Sequence, residues 1–113
     1  MSNLESLLDQ VDDMRDEIIA LEQALVRIPT VNTGFMPTGN ETEACRYIEK
    51  WLSEDSIASE TIESAPDRGN LIARLKGKSG KAGLMFMSHL DVVPVEEEEK
   101  WRFPPFSLCL IHI

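Results

Sequence analysis

The sequence is poor in cysteine, in basic side chains and in long apolar runs, and each shortage excludes a class of protein. Two cysteines in 113 residues, Cys45 and Cys109, are too few for a disulfide scaffold. Eleven basic residues against twenty acidic ones leave a formal charge of −9. A general nucleic-acid binder needs the opposite balance, because its affinity comes from cations that neutralise phosphates. An anionic lipid surface is disfavoured for the same reason, so neither nucleic acid nor membrane is expected as a partner. No stretch approaches the ~20 apolar residues of a membrane span, and Ala82–Met87 is the densest short run. The start, Met1-Ser2-Asn3-Leu4-Glu5, lacks the basic and apolar regions of a secretory signal, so a cytoplasmic location is expected.

What is present reads as one globular unit. The charge is uneven: residues 1–64 carry 14 acidic and 4 basic side chains, residues 65–113 carry 6 and 7. The first half therefore reads as acidic helices with solvated faces, the second as more buried. Leu4, Leu7, Leu8, Val11, Met14, Ile18, Leu21 and Leu25 recur at helical spacing. Ser2 with Glu5 forms a capping-box start, and Pro29 stops the helix near Arg27–Ile28. The stripe is expected to pack on its own domain rather than on a coiled-coil partner, since about three heptads make a marginal zipper. After a turn-rich loop over residues 30–40, Asn40 with Glu43 predicts a second cap. Ala44, Tyr47, Ile48, Trp51 and Leu52 then predict a second helix to about Ser53.

The remainder predicts strands. Residues 57–63 are a weak candidate, and Pro66-Asp67-Arg68-Gly69 has the composition of a tight turn. In residues 70–76, Leu71, Ala73 and Leu75 alternate onto one face, and Gly77–Gly80 is a second turn. Leu84-Met85-Phe86-Met87, apolar on both faces, predicts a central covered strand. The expected fold class is α/β: two N-terminal helices packed on the first three strands of a sheet.

Directly after the third strand stands Ser88-His89-Leu90-Asp91-Val92-Val93-Pro94. Ligands of open α/β sheets gather beyond the carboxyl ends of strands. In extended chain His89 and Asp91 leave the same face. An imidazole giving one nitrogen to a metal commonly donates its other N–H to a carboxylate, which Asp91 could supply. The His-x-Asp spacing alone is compatible with a structural strand-end role, and its position favours the functional one.

This motif, followed by Trp101-Arg102-Phe103-Pro104-Pro105-Phe106-Ser107, resembles the metallopeptidase and deacylase family that includes acetylornithine deacetylase, succinyl-diaminopimelate desuccinylase, aminoacylase and carboxypeptidase G. Ile28-Pro29-Thr30-Val31-Asn32, Asn40-Glu41-Thr42-Glu43 and Gly69-Asn70-Leu71-Ile72-Ala73 match as well, so the resemblance covers about residues 15–107. It implies a zinc-exopeptidase-like mixed sheet, here incomplete. It implies His89 as ligand to one of two zinc ions, with cobalt or manganese as possible substitutes, and Asp91 as the supporting, catalytic carboxylate. It places the Trp101–Phe106 segment as a loop below the metal centre, a packing role. The implied reaction is hydrolysis of an amide or peptide bond in a small N-acyl amino acid or peptide.

The complete family enzyme is a homodimer whose later segments supply a bridging aspartate, a glutamate pair, a further acidic ligand and a late histidine. The expectation is therefore that residues 1–107 form the N-terminal part of the catalytic domain, that 108–113 are an atypical tail, and that the dimerisation domain is absent. The chain alone is expected to be inactive and to bind zinc weakly. The alternative is a non-catalytic interaction module using the acidic first helix and the apolar tail. Other motifs point elsewhere. Gly77-Lys78-Ser79 lacks the glycine a phosphate loop needs at Ile72, and reads as a turn. Glu96–Glu99 reads as a solvated run and Cys45 as a small buried hydrophobe. Cys109 and His112, three apart in the tail, are not expected to be ligands.

Overall fold

A computed structural model describes residues 2–78, 80 and 83–107. The chain divides into two units, one holding Met1–Arg27 and Glu97–Ile113, the other Ile28–Glu96. No helix among the described residues is long and apolar enough to cross a membrane.

In the first unit the expected single helix is two, α1 (Asn3–Asp13) and α2 (Arg15–Val26). The capping box forms as read: Glu5 N–H donates to Ser2 Oγ at 3.2 Å, and Ser2 N–H donates to Glu5 Oε2 at 2.7 Å. The break is one residue wide. Met14 sits at φ −81°, ψ 0°, and its N–H is shared between Gln10 O and Val11 O, both at 3.2 Å. It follows Asp12 and Asp13, whose short side chains compete for backbone groups and disfavour helix interiors. The apolar stripe departs from expectation. Leu4, Leu7, Leu8, Val11, Met14 and Ile18 are exposed, whereas Leu21 and Leu25 are partly buried. Pro105–Ser107 forms a 3₁₀ turn that touches α2, and the Arg102 guanidinium lies 5.5 Å from the Phe103 ring centroid.

The second unit carries the core. Helix α3 (Glu41–Glu54) packs on a hairpin of β1 (Ser59–Glu63) and β2 (Gly69–Ala73), which pair antiparallel from Ser59 opposite Ala73 to Glu63 opposite Gly69. The α3 residues Ala44 and Cys45 are buried. The hairpin turn has its backbone bond from Arg68 N–H to Ala65 O at 3.0 Å, with Pro66 first in the bend and Asp67 at φ +62°. The left-handed position thus falls on Asp67, two residues before the glycine. Gly69 is needed for another reason. A Cβ there would lie 2.8 Å from Thr42 Cα, so β2 approaches α3 at a distance only glycine permits.

Two expectations are corrected here. Asn40 precedes α3, but its side chain does not cap the backbone. Its amide instead meets the Glu43 carboxylate, and the orphan N–H of Thr42 donates to Asp67 O at 3.1 Å. A carbonyl from the hairpin turn thus satisfies the helix start that the sequence assigned to a local side chain. Among the described residues the sheet has two strands, not the three expected. Leu84, Met85, Phe86 and Met87 form no strand and are at least 77% exposed. A strand exists through its ladder partners, and among the described residues none pairs with this segment. Strand β2 ends at Ala73, leaving Leu75 exposed. Ser79 and Ala82, read as parts of a turn and of the apolar run, lie outside the described residues, as do Cys109 and His112.

Candidate active-site segment

The chain running from the exposed 84–87 segment returns to the core at residues 90–92, and residues 30–32 hold it there. Val31 and Val92 form an isolated parallel bridge. Asn32 N–H donates to Val92 O at 2.8 Å, and Val92 N–H donates to Thr30 O at 3.0 Å. The buried Thr30 hydroxyl donates to Leu90 O at 2.6 Å. Pro29 stops the preceding helix and frees Thr30–Asn32 to run extended beside the motif.

His89 and Asp91 meet as the spacing predicts, without an intervening turn. The imidazole Nδ1 is 2.8 Å from Asp91 O and 3.2 Å from Asp91 Oδ1. Both partners accept, so Nδ1 carries a proton, and in the neutral ring the lone pair is then on Nε2. The ring is otherwise free, with 85% of the side chain exposed, while that of Asp91 is 29% exposed. The other carboxylate oxygen of Asp91, Oδ2, accepts from Asn32 Nδ2 at 2.8 Å and lies 3.8 Å from Arg68 Nη2. The Asn32 amide bond holds the Asp91 carboxyl below its ordinary pKa, with help from the His89 ring and against the opposing effect of burial.

Behind Arg68 lies Glu41, in the first turn of α3 and buried. Its Oε1 is 3.2 Å from Arg68 Nη1. These groups border an open cleft of about 740 Å³, whose walls include Ile72, Met85, Phe86 and His89.

An imidazole with a protonated Nδ1 bound to a carboxylate and a free Nε2 is the arrangement that suits a metal ligand. A catalytic zinc takes three protein ligands and a water. Among the described residues, no group of three His, Cys, Asp or Glu side chains converges. The residues present fit one coordination position and its orienting carboxylate.

Sequence reasoning singled out His89 and Asp91 but gave no role to Thr30, Asn32, Glu41 or Arg68. Three of these stood in segments noted as matching the family, Ile28–Asn32 and Asn40–Glu43, and Arg68 immediately precedes a third. That clustering was the available signal.

No established family profile matches the chain. Individual relatives do. Over 109 residues, 95% of this chain, it is 33% identical to an N-formyl-4-amino-5-aminomethyl-2-methylpyrimidine deformylase of Halalkalibacterium halodurans, covering 25% of that protein. Over 90 residues, 80% of this chain, it is 34% identical to a probable succinyl-diaminopimelate desuccinylase of Staphylococcus epidermidis, covering 20% of it. A Staphylococcus aureus protein of the same name is 30% identical over 92 residues and is covered to 21%. The chain thus spans a fifth to a quarter of the length of the curated relatives it matches. Over most of its own length the chain is similar to the N-terminal part of hydrolases named for removing formyl and succinyl groups, and the desuccinylase is one of the members of the family that the motifs resemble.

Proposed function

We propose that this chain supplies one metal ligand, His89, and its orienting and catalytic carboxylate, Asp91, to a metal-dependent amide hydrolase acting on a small N-acylated amine or amino acid. The observation that carries the reading is the Nδ1–Asp91 pairing on an imidazole whose remaining ring edge is open. The relatives named as a deformylase and a desuccinylase support the reaction class.

A divalent cation of the zinc type, when bound, lowers the pKa of a water and polarises the scissile carbonyl. The chain's own residues do the rest of the work described here. His89 offers Nε2 in a fixed tautomer. Asp91 holds that tautomer through Oδ1. Thr30 and Val31 fix the backbone on either side of Asp91, so that the pair points into the cleft.

The test is a hybrid protein in which residues 1–107 replace the matching first part of the Staphylococcus epidermidis relative. The hybrid should release succinate in a metal-dependent manner. His89→Ala should lower kcat/KM by about 10³ or more, the scale expected when a catalytic metal loses a ligand. Full cation content and turnover in His89→Ala would refute the proposal.

A further inference from the structure

The Asp91 carboxylate is divided between two tasks. Oδ1 faces His89, whereas Oδ2 is occupied by Asn32 Nδ2 at 2.8 Å and approached by Arg68 Nη2 at 3.8 Å. Neither donor is free to turn elsewhere. The Asn32 side-chain oxygen accepts from Gly34 N–H at 2.9 Å, which fixes the amide with its NH₂ toward Asp91. The Arg68 guanidinium is anchored at its other nitrogen, Nη1, by the buried Glu41 carboxylate at 3.2 Å. Among the described residues, both Glu41 oxygens are shielded from water and lack a hydrogen-bond partner, and Oε1 is ion-paired with this guanidinium. A buried carboxylate with one cation beside it keeps that cation in place, because separation would leave the charge uncompensated.

We propose that Asn32 and Arg68, the latter held by Glu41, are positioning residues that lock the Asp91 carboxylate onto His89 and thereby fix which imidazole nitrogen stays open. This rests on the reading of His89 as a ligand for its purpose, but not for its measurement. Without donors on Oδ2, the carboxylate rotates freely about its terminal bond, and Oδ1 is no longer held at Nδ1. Only the Asp91 backbone oxygen then remains to accept from the ring. A charge-assisted bond is about twice as strong as a neutral one, so most of the tautomer preference resides in the carboxylate.

The experiment is a long-range ¹H–¹⁵N spectrum of the 113-residue chain in the His112→Gln background. It is recorded near pH 8.5, about two units above the ordinary imidazole pKa. In water a neutral imidazole favours the proton on Nε2; the chain should show the reverse, Nδ1–H as the main form. Asp91→Ala sets the lower end of the scale. Asn32→Leu combined with Arg68→Gln should reduce the ratio of Nδ1–H to Nε2–H about tenfold, the worth of one hydrogen bond to a charged group, and approach the Asp91→Ala value.

Arg68→Lys beside native Asn32 should restore most of the native ratio. Amide shifts of α3 and the hairpin report that the fold is intact, and Asn32→Ser serves if Asn32→Leu perturbs it. A double variant that matches the native ratio overturns the proposal, as does an Asp91→Ala chain that still matches it. The outcomes separate from those of the hybrid enzyme. A tautomer shift beside a hybrid indifferent to His89 removes the ligand role alone. An unshifted tautomer beside a His89-dependent hybrid removes the positioning role alone.

Discussion

Gly69→Ala tests whether the approach of β2 to α3 is as close as described. The added methyl would sit 2.8 Å from Thr42 Cα, 2.9 Å from Thr42 Oγ1 and 3.1 Å from Thr42 N. Two of these three atoms are backbone, and Thr42 itself is buried and hydrogen-bonded through its hydroxyl to Glu63 Oε1 at 2.6 Å. A side-chain rotation cannot relieve the contact, so helix and hairpin must separate. Such overpacking costs about 1–3 kcal/mol. Against it, alanine restricts the unfolded chain and returns about 0.4–1 kcal/mol. The net expectation is destabilisation of about 1–2 kcal/mol, or a Tm lower by roughly 4–16 °C at the ~4–8 °C per kcal/mol usual for a unit of this size. Gly77→Ala is the matched control. Nothing lies within 4 Å of a Cβ there, and its φ is not in the left-handed region, so only the unfolded-state gain applies. Urea and thermal unfolding of the two variants, followed by circular dichroism, measure the difference. Equal stability of Gly69→Ala and Gly77→Ala would refute the close approach.

Three further outcomes are expected. Glu41→Ala strips Arg68 of its buried partner. It should cost more than the ~1 kcal/mol of an exposed pair and less than the ~3–5 kcal/mol of a fully buried one, because Arg68 keeps 23% of its side chain in water; a urea midpoint gives the value. The Cys45 thiol is fully buried, and burial, with the nearby Glu49 and Glu41 charges, pushes its pKa up. In a Cys109→Ser background at pH 8, iodoacetamide should therefore label native chain at least about tenfold more slowly than urea-unfolded chain, as read by mass spectrometry. Glu5 accepts the Ser2 N–H, which lowers its pKa from the ordinary glutamate value. A depressed folded pKa means that the capping box contributes at pH above the ordinary carboxyl value and is lost as pH falls through the folded one. The Ser2 amide shift should titrate with a midpoint below that of an unpaired glutamate, and Glu5→Gln should abolish that titration.

Local physics was legible in the sequence, and tertiary physics was not. The Ser2–Glu5 box, the stop at Pro29, the 41–54 helix and the bend near Pro66 depend on residues within a few positions of one another, and all four are found. The contact between His89 and Asp91 was equally local, since the two stand two apart. One local feature was missed, the break at Met14 behind Asp12 and Asp13, which the apolar periodicity runs across; the other failures depended on distant partners. The Thr42 N–H is capped by Asp67, 25 residues on, so the local Asn40 signal misled. Leu84–Met87 has the composition of a covered strand, but a ladder needs a second chain segment, and composition cannot provide one. Asn32 and Arg68 escaped notice because a polar residue in a turn-rich loop looks the same whether or not a carboxylate 59 or 23 positions away will come to meet it.

That separation has a consequence for how the molecule comes into being. Thr30 to Leu90 and Asn32 to Asp91 close a loop of about 60 residues, with the α3 hairpin inside it. Closure of so long a loop is compensated only once the enclosed elements have formed, and contacts of this kind mature slowly. During synthesis, therefore, helix and hairpin can be complete while the imidazole still points at random. Its orientation arrives with the last contacts to knit, and under mild denaturant it should be among the first properties to disappear.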